Sequence, residues 1–137
     1  MPDTPRGIRN NNPGNIRHSQ IAWDGEAVDQ SDPDFIQFQT PEYGIRAIVK
    51  IFLTYQKKGI NTIHLAIDRW APSSENDTQA YVEALCKAIP CGPNDPLVFC
   101  NVFSQLVRAI ILHENGVQPY DNETISHGIL MGLGEST

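Results

Sequence analysis

Residues 41–58, PEYGIRAIVKIFLTYQKK, set Ile45, Ile48, Val49, Phe52 and Tyr55 at spacings of three and four. That is the period of one helix face, so the stretch reads as an amphipathic helix with its apolar side on a core. Gly59 supplies the stop. Working outward toward the C-terminus, Thr62 to Arg69 continues the helical pattern until Trp70-Ala71-Pro72, where proline bars it. Ser73-Ser74-Glu75-Asn76-Asp77 offers several N-caps for a helix through Ala80, Tyr81, Ala84, Leu85 and Ala88. Pro90 to Pro96 reads as a loop. Asp95 followed by Pro96 reads as an N-cap with proline at the first helical position. It would open a strongly apolar helix through Leu106, Val107, Ile110 and Ile111 that ends near Gly116. A last short helix, Glu123 to about Leu133, is expected to be interrupted by Gly128 and Gly132.

Toward the N-terminus the pattern changes. Residues 6–34, RGIRNNNPGNIRHSQIAWDGEAVDQSDPD, are rich in the turn-formers Asn, Gly, Pro and Asp. They read as ordered loop with short strands, followed by a brief strand or extended segment at Phe35 to Gln39. With 137 residues and 40% hydrophobic content the chain suits one domain over residues 1–137 with a real core. The expected class is α+β, mainly α, with a strand and loop region on the N-terminal side.

Sixteen acidic against ten basic residues give a formal charge of −6, and the basic residues are scattered apart from Lys57-Lys58. A nucleic-acid partner is not expected, because binding phosphates needs a basic face. The apolar runs are far shorter than the ~20 residues of a membrane span, and residues 1–13 are too polar for a secretory signal. The chain is therefore expected to be made in the cytoplasm without a signal peptide and not to insert into a membrane. Cys86, Cys91 and Cys100 form no CxxC pair, and a zinc site would lack its fourth ligand, so no metal or cofactor is expected. Buried or free thiols fit better; one disulfide with a leftover thiol is the alternative.

Glu114 follows the run Ala109-Ile110-Ile111-Leu112 and precedes Asn115-Gly116, where the chain can turn sharply. A carboxyl at the edge of an apolar core is placed to hold its proton, as a general acid must. The plainer reading is a Glu on the exposed side of a helix end. The run Asn10-Asn11-Asn12-Pro13-Gly14-Asn15-Ile16-Arg17, with Trp23, offers amides for sugar hydroxyls and acetamido groups and an indole that can stack on a pyranose. The same residues also build plain turns. Trp70 could line a glycan groove, while Asn76 or Asp77 most simply caps a helix. His113 could tune Glu114 or simply satisfy helix-end carbonyls. Asp29, Asp32 and Asp34 are candidates for a second carboxylate, and none stands out.

Taken together, GIRNNNPGNIR, RWAP with END.T and HENG..PY resemble motifs of small phage-encoded proteins, some described as virion structural proteins. The resemblance runs from Arg6 to Gly128. A second likeness is to bacterial glucosaminidases of the flagellar and autolysin type, in the lysozyme-like superfamily. Asn15-Ile16-Arg17, Trp23, Phe35 to Phe38, the helix from Pro41 and Trp70-Ala71-Pro72 follow that family's order, but Glu114-Asn115-Gly116 comes last instead of first. A circular permutation produces that order and is tolerable when the original termini lie close together.

The resemblance implies a lysozyme-like domain that cuts the β-1,4 bonds of peptidoglycan as a muramidase, glucosaminidase or lytic transglycosylase. By that likeness Glu114 would be the catalytic acid, Asn15 the asparagine beside the cleft and Trp70 an aromatic lining it; the residues themselves add Asn12, Arg17, Trp23 and Tyr120 as candidate substrate contacts. Asn115 stands where that family has serine and Trp70 where it has tyrosine, which removes a hydroxyl from the site. Peptidoglycan strands would be the partner, met in the periplasm or cell wall after lysis or by way of a virion or secretion machine. The alternative is a non-catalytic virion structural or glycan-binding protein.

Overall fold

The computed structural model describes residues 4–134. Among the described residues six α-helices carry the fold: α1 (Arg6–Arg9), α2 (Pro41–Lys57), α3 (Ile63–Trp70), α4 (Thr78–Ala88), α5 (Phe103–Asn115) and α6 (Asn122–Gly132). The apolar face of α2 is buried as its spacing requires: Ile45, Ile48, Val49 and Phe52 are closed to solvent. Around them pack Ile63 and Ile67 of α3, Leu85 of α4, and Leu106, Val107, Ile110 and Ile111 of α5. Phe52 is the hub, with the rings of Tyr55, Trp70 and Phe99 at 5.3, 5.3 and 5.4 Å. Burying one such side chain contributes about 1.5–3 kcal/mol, so the core is what holds the helices together. No described helix is long and apolar enough to cross a membrane.

Three helices open on side-chain caps. Thr62 accepts from the Leu65 N–H, Asp77 from that of Ala80 and Asp121 from that of Thr124. Of the candidate caps before α4, the chain uses Asp77.

The expected α+β class is corrected: the described residues contain no sheet. The N-terminal strand region reduces to two isolated antiparallel bridges, Arg17 with Phe35 and Glu26 with Phe38. The reason lies in the polar side chains. The Asn12 amide donates to the carbonyls of Ile16 and Ile36, each at 2.9 Å, and accepts from the Ile16 N–H. Gln30 donates to the carbonyls of Ala27 and Gln37, and Gln37 accepts from the N–H groups of Ser31 and Asp32. Side-chain amides thus satisfy backbone groups that a neighbouring strand would otherwise take.

Two helix expectations also change. No helix begins at Asp95-Pro96; Asp95 turns back to accept from the Gly92 N–H at 2.7 Å. Residues 97–99 are captured by tertiary bonds, Leu97 N–H to the Asn61 carbonyl and Phe99 N–H to Gln56 Oε1. A single 3-10 turn, Phe99–Asn101, then leads into α5. In α6 the glycines do not interrupt the helix. A Cβ on Gly128 would stand 2.6 Å from that of Ile45, and one on Gly132 2.5 Å from that of Val49, so this glycine face is what lets α6 lie against α2.

Candidate functional site

The last turn of α5 brings Glu114 to the wall of a cleft of about 360 Å³. Gly116, at φ 74°, ends the helix immediately beyond it. The opposite walls come from the 10–17 loop, through Asn15 and Arg17, from the end of α3, through Trp70, and from the α3–α4 loop, through Glu75 and Asn76.

Both Glu114 oxygens are held. Asn15 Nδ2 donates to Oε1 at 2.9 Å, and the Tyr81 hydroxyl donates to Oε2 at 2.7 Å. That hydroxyl in turn accepts from Trp70 Nε1 at 2.9 Å. Tyr81 is buried, and burial together with the Glu114 charge pushes its phenol well above the ordinary value. It therefore keeps its proton and donates it. The His113 ring lies against the Tyr81 ring, centroids 3.9 Å apart. A hydroxyl beside Glu114 is thus delivered from α4.

Asn15 is set by its backbone and its neighbours. It lies in the left-handed region at φ 51°, a strained conformation that Asn tolerates better than most residues. Its Oδ1 and that of Asn115 are buried without a hydrogen-bond donor. Both face Gly7, where a Cβ would stand 2.7 and 2.5 Å from them and 2.9 Å from the Asn12 carbonyl. Asn115 also ties the loop to α5, its amide donating to the carbonyls of Pro13 (2.8 Å) and Ile111 (2.9 Å). A bare Cα at residue 7 is thus what lets two asparagines close in beside Glu114.

Of the residues singled out from sequence, Asn15, Arg17, Trp70 and Glu114 meet at this cleft. Asn12 is fully buried and spent on the loop. Trp23 packs on Ile36, Phe38 and Ala47 and lines a neighbouring depression, which shares Ile51 and Tyr55 with the cleft. Tyr120 is half-buried against the core, outside the cleft lining, with its phenol pushed up to about 12 by burial and the Glu42 charge. Cys86, Cys91 and Cys100 are free thiols. The sequence offered Glu75 only among the residues before a helix, Tyr81 only as a position on that helix and Asn115 only as a turn-former in serine's place; Gly7 carried no reading. For Tyr81 one signal existed: a tyrosine on a buried helix face needs a partner for its hydroxyl.

The arrangement defines a helical domain with a glutamate held by neutral hydrogen-bond donors at the wall of a cleft of mixed polar and apolar lining. No protein-family model matches this chain. It is 37% identical over 135 residues to Protein P5 of Pseudoalteromonas phage PM2, a match covering 96% of this chain and 84% of the relative. The chain belongs to the family of that phage protein.

Proposed function

We propose that the cleft cuts the β-1,4-linked glycan of the bacterial cell wall, with Glu114 giving its proton to the leaving glycosidic oxygen. The observation that carries this reading is the carboxyl of Glu114, fixed at both oxygens by Asn15 and Tyr81 in a cleft of about 360 Å³. A positioned carboxyl is what general-acid cleavage of a glycoside requires. The neighbouring Trp23 depression, adjoining through Ile51 and Tyr55, suits a polymer longer than one residue. The resemblance to glucosaminidases in permuted order names the same glutamate. The phage family supplies the occasion, since a phage meets the cell wall at entry and again at release. The protein would reach the wall in the virion or at lysis.

The acid step is common to muramidases, glucosaminidases and lytic transglycosylases; they differ in which bond is cut and in what attacks afterwards. The test is clearing of purified peptidoglycan by wild type and by Glu114→Gln. Wild type is expected to clear the suspension and Glu114→Gln to lose at least ~100-fold of that rate. Equal clearing by both would remove Glu114 from the chemistry. If neither clears while both co-sediment with the glycan, the protein is a binding component of a virion.

A further inference from the structure

A glycosidase of this kind needs a group to handle the attacking water as well as an acid. Asp29, Asp32 and Asp34, the candidates from sequence, do not line the cleft. Asp32 and Asp34 are instead bound by Arg6 at 2.6 and 3.2 Å. Among the described residues that line it, the carboxylates are Glu114 and Glu75. Glu75 comes from the loop between α3 and α4, with Oε1 3.3 Å from Nη2 of Arg17. The Arg17 guanidinium lies over the Phe35 ring, 4.8 Å from its centroid, which holds the cation in place.

The two carboxyl groups differ in setting: Glu114 has neutral hydrogen-bond partners, whereas Glu75 is half exposed beside a guanidinium. Glu75 is thus the carboxylate in the cleft that stands open to solvent water, while both Glu114 oxygens are engaged.

We propose that Glu75 is the second carboxylate of the cleft and takes a proton from the water that attacks the sugar; this rests on the glycosidase reading above. The Glu114 proton passes to the glycosidic oxygen as the bond to the anomeric carbon breaks and its electron pair goes to that oxygen. The water oxygen bonds to the anomeric carbon and gives its proton to Glu75. One water is consumed, a reducing end is formed, and proton exchange with solvent resets both carboxyl groups. An exposed ion pair such as Arg17–Glu75 contributes little to stability, so Glu75 can be replaced without unfolding the protein.

The experiment is mass analysis of fragments released from peptidoglycan by wild type, Glu75→Gln and Glu75→Ala, with thermal melts alongside. Wild type is expected to release reducing-end fragments, and Glu75→Gln to slow release about 100-fold with an unchanged melt. Sodium azide, an anion small enough for the vacated space, should restore release by Glu75→Ala and yield a glycosyl azide. Wild-type rates from both variants would overturn the proposal, since water would then attack without Glu75; 1,6-anhydro ends from wild type would overturn it as well, a sugar hydroxyl being the attacking group, and either result leaves the Glu114 reading intact. If wild type and Glu114→Gln alike release nothing, the glycosidase reading fails and the role of Glu75 falls with it.

Discussion

Asn15 and Glu114 lie 99 residues apart in sequence and are joined by a 2.9 Å hydrogen bond from the amide to the carboxyl. The bond depends on a backbone conformation, φ 51°, that few residues with a side chain adopt. Asn15→Gly separates the two contributions, because glycine keeps the conformation and removes the amide. The variant is expected to melt close to wild type while glycan release falls ~10- to 100-fold, the scale of loss when a reacting group is left loosely placed. Release rates and melting curves on the same preparations check this. Unchanged release would show that Asn15 does not position the acid.

Tyr81→Phe removes a buried hydroxyl that both donates to Glu114 and accepts from Trp70. Leaving those groups without a partner is expected to destabilise the fold by about 1–3 kcal/mol, read as a lower urea midpoint at pH 7. A second effect follows from the raised phenol. A raised folded value means that this stabilisation is complete below the unfolded tyrosine value of about 10 and is lost as pH rises beyond it. Wild type should therefore lose stability above about pH 10 more steeply than Tyr81→Phe. Parallel alkaline limbs would contradict the burial of that phenol.

At the acid end Asp32 is a group whose setting favours its charge. The Arg6 guanidinium, helped by the backbone N–H of Phe35 and the Asn10 amide, holds its carboxyl well below the usual range. A depressed folded value stabilises the protein above about pH 4, the unfolded value, and that contribution is lost as pH falls further. Asp32→Asn removes it. Urea midpoints measured from pH 6 to pH 2 should fall more steeply for wild type than for the variant, the two converging at the acid end.

Much of the fold was legible because burial writes a period into the chain. The apolar face of α2 could be read from Ile45 to Phe52, and the proline at residue 72 marked the end of α3. What failed were the segments whose backbone partners are not their neighbours. Phe35 to Phe38 has strand-like residues, yet amides of Asn12 and Gln30 take the places of a strand partner. Asp95-Pro96 carries a helix-start pattern that Asn61 and Gln56 override from across the fold. At the site, Glu114 and Asn15 each stood out in their motifs, but their contact did not, since nothing local links them. Glu75 stood near Trp70 in the polar run 73–77, where it read only as one of several residues before a helix. A glutamate in a polar loop looks like any other until the fold places it in a cleft.

The stapling of Pro13 by Asn115, across 102 residues, bears on the order in which the protein is made. Contacts this distant form only after the intervening chain has collapsed, because the entropy of closing so long a loop has to be offset by the packing of everything between. On the ribosome, the loop of Asn15 emerges early and waits for α5. A chain halted before residue 114 has neither Glu114 nor the Asn115 anchor that ties down the opposite wall, so the cleft is complete only once α5 has been made to its end.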